Sequence, residues 1–195
     1  MSTPAARLRP ALFLDRDGVI NVDTGFVYRP QDCILIEGIA PLVRTANQLG
    51  YFTCVVTNQS GIGRGLYTEQ DFHSFMHHMR QELGVLGARI DAVYFCPFHP
   101  EHGVGVYRRE SECRKPAPGM LRLAAQEHRL DLRRSAMVGD RCSDLVAGEA
   151  AGVQTLFLFS TAEKNSCHVT IPYNRVNRLS LVQQHLLTTS VASSG

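Results

Sequence analysis

Several short apolar runs in this chain end in residues capable of chemistry. Ala11–Leu14 leads into Asp15-Arg16-Asp17-Gly18, Phe52–Val56 into Thr57-Asn58-Gln59-Ser60-Gly61, and Ala136–Val138 into Gly139-Asp140, while Lys115 stands just before the Pro116–Pro118 pair. Carboxylates can attack an electrophile, exchange a proton or hold a hard cation, and a lysine can neutralise negative charge beside them. A DxD pair alone is weak evidence, because two nearby aspartates also suit a solvated turn or a helix cap. The recurrence of such residues at separate run ends carries more weight. In an open α/β sheet, ligands bind beyond the carboxyl ends of the strands, so these clusters would converge on one edge.

The elements that must position them follow from periodicity. Apolar runs at Ala11–Leu14, Phe52–Val56, Ala92–Phe95, Ala136–Val138 and Thr155–Phe159 alternate with helical periods at Gly38–Leu49, Glu69–Leu83, Pro118–Glu127 and Cys142–Ala150. That alternation predicts an α/β fold, a doubly wound parallel sheet with helices on both faces. Continuous apolar strands such as TCVVT and TLFLF fit a sheet buried on both sides. Thr68, followed by Glu69 and Asp71, marks a helix start, and the Pro116–Pro118 pair marks another. The stretches Asn21–Glu37 and Pro97–Lys115 lack periodicity and are rich in Gly, Pro and charge, which predicts functional loops.

With 195 residues, the chain suits one domain, expected over residues 1–187, with a disordered tail over 188–195. Its 20 basic and 18 acidic residues are dispersed, so no polybasic arm argues for nucleic acid or a membrane surface. The apolar run before Asp15 is too short for a signal peptide or a membrane span, which makes a cytoplasmic location the expectation. Six scattered cysteines read as reduced thiols and not as a disulfide framework.

Taken in order, LFLDRDGVIN, VVTNQSG, RKPAPGM and MVGDRCSD resemble the four motifs of the haloacid dehalogenase (HAD) superfamily of phosphatases, over nearly the whole chain. The resemblance implies a Rossmann-like HAD fold and a Mg2+-dependent phosphatase acting on a small phosphorylated metabolite. Asp15 would be the nucleophile, and Asp17 the general acid and then base. Asp15, Asp140 and the backbone carbonyl of Asp17 would hold Mg2+, while Thr57, Asn58, Lys115 and Arg114 would bind substrate phosphate. A phosphate ester repels an approaching carboxylate, so an aspartate nucleophile requires a cation and a lysine to offset that charge. For Asp17 to act as an acid, its pKa must be raised, which a neighbouring carboxylate and partial burial would supply. Asp144, one helical turn beyond Asp140, is either a partner of the site or an exposed helix charge.

Too little chain separates the motifs for a cap domain, so substrate selection falls to the two loops. DRDG, TNQSGIGRG and the run into CRKPAPGM are similar to the heptose bisphosphate phosphatases of this superfamily, and next to the histidinol phosphatases. A phosphorylated sugar and a monomer are the corresponding expectations; an inactive ligand-binding domain is the alternative from another class. The Gly61–Gly65 segment lacks Walker spacing. Arg64 and Arg114 either bind a second anionic group or are solvated surface arginines. The resemblance also implies a structural Zn2+ held by Cys-x-His and Cys-x-Cys pairs. This chain carries Phe98 and Ser111 at two of those places, leaving Cys96, His99, His102 and Cys113 as an altered set, and zinc is not the favoured expectation.

Overall fold

Alternate side chains of a strand point to opposite faces, and here both faces are apolar. In β1 (Ala11–Leu14), Leu12 and Leu14 join one buried cluster while Ala11 and Phe13 join another. The same division holds for Val55 against Cys54 and Val56 in β2 (Phe52–Asn58), and for Phe157 against Leu156 and Leu158 in β5 (Thr155–Phe159). Such strands need cover on both sides, which βαβ crossovers supply.

The computed structural model describes residues 8–160, 167 and 169–192. Six strands, with β3 (Ala92–Cys96), β4 (Ala136–Gly139) and β6 (Asn174–Val176), form one sheet in the order β3-β2-β1-β4-β5-β6, and every pairing is parallel. Packed on one face are α1 (Ile39–Gln48), α3 (Glu69–Val85) and α6 (Leu179–Ala192), through residues such as Leu42, Phe72, Phe75 and Leu186. The other face carries α4 (Gly119–His128) and α5 (Cys142–Ala151), through Met120, Leu121, Leu145 and Ala147. The short α2 (Ser60–Gly63) opens directly from the end of β2. Successive crossovers leave β1 in opposite directions across the sheet, and the crevice at that reversal lies beyond the ends of β1 and β4.

The α3 start falls where its residues put it. Thr68 Oγ1 accepts the Asp71 N–H at 3.1 Å and Asp71 Oδ2 accepts the Thr68 N–H at 2.8 Å, a reciprocal cap. The doubly wound Rossmann-like sheet is as expected, and among the described residues no inserted cap domain interrupts it.

Two expectations are corrected. Order does not end at residue 187, because α6 runs to Ala192 and buries Leu179, Val182 and Leu186; residues 193–195 lie outside the described residues. The preceding β6 has only three residues, two of them exposed and polar, so it lacks the apolar run that marks the other strands. The cysteines are not all reduced: Cys142 in the first turn of α5 is bonded to Cys167, 25 residues on, with Cα atoms 5.2 Å apart. Among the described residues no helix is long and apolar enough to cross a membrane.

Candidate active site

Strand ends bring the expected residues together. Asp15 follows β1, Asp140 follows β4, and Thr57 is the penultimate residue of β2, all lining or adjoining one crevice of about 500 Å³. Lys115 reaches it from the loop before α4, its ammonium 3.0 Å from Asp15 Oδ1 and 2.6 Å from Asp144 Oδ1, while donating to the Val56 carbonyl at 2.7 Å. Lys115 is 3 % exposed and Asp144 1 %. Asp144 is therefore no solvated helix charge: one oxygen holds the lysine and the other caps α5 by accepting the Arg141 N–H at 3.0 Å. Burying charges is tolerable only when they are paired in this way.

Electrostatics at this point favour a cation. One oxygen from each of Asp15, Asp140 and Asp144 lies within 4.8 Å of the others, and against these three carboxylates stand the buried Lys115 ammonium and the exposed Arg141 guanidinium, 3.8 Å from Asp140 Oδ2. Burial pushes the Asp15 carboxyl up to about 7, with Lys115 pulling the other way and Asp144 and Asp140 adding to the rise. Burial likewise raises Asp140 to about 6, reinforced by Asp144 and opposed by Arg141 and Lys115. Burial would lower Lys115, yet Asp144 and Asp15 outweigh it and hold the ammonium above its ordinary value. Asp140 Oδ1 is buried with no hydrogen-bond partner. An orphaned carboxylate oxygen beside two more carboxylates fits a hard divalent cation, which takes oxygen ligands and would balance the excess negative charge.

Asp17 is held apart from that cluster. Its carboxylate accepts from the Arg16 guanidinium, with the closest contact 2.7 Å, from Asn21 Nδ2 at 3.0 Å and from Gln59 Nε2 at 3.1 Å. The neighbour expected to be a carboxylate is thus a fully buried arginine, which lies over the Phe75 ring at 4.7 Å and donates to the Val27 carbonyl at 2.7 Å. Gln59 is itself fixed: its Oε1 accepts from Tyr67 Oη at 2.6 Å and its Nε2 donates to Thr57 Oγ1 at 2.8 Å. Sequence reasoning missed Arg16, Gln59 and Tyr67 as supporting residues. The only sequence signal was their place inside or just after the strand-end motifs.

Asn58 lines the crevice, and its side chain has a task of its own. Its amide is committed to the Lys115 backbone, donating to the carbonyl at 2.9 Å and accepting the N–H at 3.0 Å, so it clamps the lysine loop to β2. Arg114 lines the crevice with one guanidinium nitrogen donating to the Phe98 carbonyl at 3.1 Å. Arg64 and Phe26 also line the crevice, the guanidinium carbon 5.6 Å from the ring centroid. Gly18, at φ +81°, is required twice, because a Cβ there would also lie 2.5 Å from Asp140 Oδ2.

The altered zinc set does not assemble. His99 Nδ1 accepts the N–H groups of Glu101 and His102 at 3.2 and 3.1 Å, which leaves Cys96 and Cys113 facing each other. Among the described residues, Asp15, Asp140 and Asp144 are the one group of three His, Cys, Asp or Glu ligands close enough to share an ion. A tetrahedral zinc needs four ligands.

A parallel sheet whose switch point gathers aspartates and a buried lysine defines a hydrolase of the HAD type, and comparison with known proteins agrees. A HAD-hydrolase-like family model matches residues 112–169. D-glycero-alpha-D-manno-heptose-1,7-bisphosphate 7-phosphatase of Burkholderia mallei is 52% identical over 148 residues, 76% of this chain and 78% of that protein. D-glycero-beta-D-manno-heptose-1,7-bisphosphate 7-phosphatase of Vibrio cholerae is 45% identical over 155 residues, 80% of this chain and 83% of that one. The crystal structure of D,D-heptose 1,7-bisphosphate phosphatase from B. bronchiseptica, complexed with magnesium and phosphate, superposes with a TM-score of 0.80 at 31% identity, covering 92% of this chain and 99% of that one. The chain belongs to the HAD-like phosphatases, in the family of these heptose bisphosphate phosphatases.

Proposed function

We propose that this enzyme removes the C7 phosphate of D-glycero-D-manno-heptose 1,7-bisphosphate with Mg2+, through a phosphoryl group carried transiently on Asp15. The observation that carries the reaction is the Lys115 ammonium, 3.0 Å from Asp15 and 2.6 Å from Asp144 in a buried crevice. The substrate rests on the names of relatives 52% and 45% identical to this chain.

Bound by Asp15, Asp140 and the Asp17 carbonyl, Mg2+ supplies charge that offsets repulsion between carboxylate and phosphate. Asp15 attacks phosphorus, and Lys115 and Thr57 steady the phosphoryl oxygens as the ester bond breaks. Asp17 protonates the departing sugar oxygen, and then takes the proton of the water that hydrolyses the aspartyl phosphate. Arg16, Asn21 and Gln59 hold Asp17 in orientation for both transfers. Asn58 fixes the lysine loop. From the lining of the same crevice, Arg114 and Arg64 offer forked donors to the remote C1 phosphate. The same reading has the enzyme acting as a cytoplasmic monomer.

A substrate panel with Mg2+ tests this: both anomers of the heptose bisphosphate, histidinol phosphate and an aryl phosphate. The expected result is fastest turnover of one heptose bisphosphate anomer, leaving a heptose 1-phosphate. Preference for histidinol phosphate would overturn the substrate assignment, and no turnover of any compound would revive a binding role.

A further inference from the structure

Two thiols outside the phosphate chemistry are set against each other. Cys96 is the buried last residue of β3, and Cys113 lies half-buried two positions before Lys115. Their sulfurs are 2.7 Å apart although neither is in a disulfide. Carbon atoms, smaller than sulfur, rest at about 3.5–4.0 Å from one another. A sulfur–sulfur bond spans about 2.05 Å. The pair therefore sits well inside non-bonded contact, at a separation that a covalent bond would relieve. Among the described residues no third His, Cys, Asp or Glu side chain lies close enough to share an ion with both sulfurs, and the neighbour 3.0 Å from Cys113 Sγ is the neutral Ser111 hydroxyl.

We propose that Cys96 and Cys113 are a reversible disulfide site, a covalent clip that closes the base of the Pro97–Arg114 loop beside the lysine of the active site. The chemistry needs an external low-molecular-weight disulfide as oxidant. Cys113, the more exposed thiol, attacks it as thiolate, forming a mixed disulfide and releasing one thiolate of the oxidant. Cys96 then loses its proton and attacks the Cys113 sulfur, expelling the second thiolate. Two protein thiols give up two electrons and two protons, and one disulfide is reduced to two thiols. The hydrogen bond shared with Cys96, with help from Ser111, holds Cys113 down to about 6 against the effect of burial, which favours it as the attacking partner.

The clip would not displace Lys115, because Asn58 grips that residue's backbone independently. What changes is the freedom of the loop, whose present ties are hydrogen bonds alone, among them Arg114 to the Phe98 carbonyl, the Gly119 N–H to the Glu112 carbonyl and the Val104 N–H to the Gly63 carbonyl. Closing a loop of this size removes conformations from its open states.

The test equilibrates the full chain with mixtures of reduced and oxidised glutathione, traps free thiols with an alkylating agent and maps peptides by mass spectrometry. In parallel, brief trypsin treatment reads cleavage at Arg108 and Arg109. Neither readout uses turnover, so failure here is separate from failure of the phosphatase assignment. The expected result is a Cys96–Cys113 linked peptide, lighter by two hydrogens and reopened by dithiothreitol, with several-fold slower cleavage of the oxidised loop. C113S should abolish both the linkage and the protection. Because Cys113 is not in the core of β3, this variant is preferred; C113A is the second form if the serine variant fails to fold. Separate labelling of both thiols at every ratio would overturn the proposal, as would a glutathione adduct stalled on Cys113. So would equal cleavage of the linked and unlinked forms, or one tightly held zinc per chain that shields both sulfurs.

Discussion

Replacing Asp144 with asparagine isolates the pairing at the centre of this site. Both carboxylate oxygens of Asp144 face donors, the Lys115 ammonium at 2.6 Å and the Arg141 N–H at 3.0 Å. An amide has one acceptor oxygen, so its NH2 group must oppose one of the two in either orientation. Breaking a buried pair by removing one partner costs about 3–5 kcal/mol. Lys115 keeps Asp15 at 3.0 Å and the Val56 carbonyl at 2.7 Å, which places the expected loss at the lower end, about 3 kcal/mol. For a chain of this length, each kcal/mol moves Tm by about 2–4 °C, so a fall of roughly 6–12 °C is expected in saturating Mg2+. Without the cation the fall should be smaller, because the variant also relieves the excess negative charge shared by Asp15 and Asp140. Loss of a partner that orients the site should also raise the half-saturating Mg2+ concentration, by about 10–100-fold. Thermal melts and Mg2+ titrations of phosphate release measure both. A variant with Tm within about 2 °C of the parent in Mg2+, and with an unchanged Mg2+ requirement, would refute the reasoning.

Other consequences are open to simple assays. G18A should fold yet lose activity by about a hundredfold, because its Cβ would drive Asp140 from its place; near-parental kcat/KM would contradict the close approach. In the cation-free protein, the raised Asp15 and Asp140 values mean that the folded state binds more protons than the unfolded chain. Their contribution is then fully present below about pH 4 and lost as pH rises through about 6 and 7. Mg2+ binds the deprotonated carboxylates, so the rise in Tm on adding Mg2+ should grow between pH 5 and pH 7.5, read by calorimetry with and without chelator. Leu186→Ala in α6 should cost about 2–4 kcal/mol in denaturant unfolding while the folded fraction keeps its kcat, since this buried residue lies near Pro10, Ser135 and Thr155 at the starts of the strands, the end opposite the crevice.

The strands that end in Asp15, Thr57 and Asp140 were legible because each is an unbroken apolar run buried on both sides, and the capped start of α3 was legible because its signal is local. Their convergence with Lys115 followed from topology alone. Less visible were features decided by distant partners. The grip of Asn58 on Lys115 depends on the end of β2 meeting a loop 57 residues further on. The fixing of Asp17 by Arg16, Gln59 and Tyr67 depends on the way α2 leaves β2. Cys142 and Cys167 meet across 25 residues of chain, a pairing that no spacing rule announces. The exposed, polar β6 gave no periodic signal, and α6 went with it.

The central claim, that Asp15 carries the phosphoryl group, is open to direct chemical trapping. Acid quench during turnover of heptose bisphosphate, followed by borohydride reduction, converts an aspartyl phosphate to homoserine, which peptide mass spectrometry locates. The account predicts homoserine at position 15 and at no other aspartate, and none when substrate is omitted. Active enzyme that yields no homoserine, or yields it at Asp17 or Asp140, would contradict it.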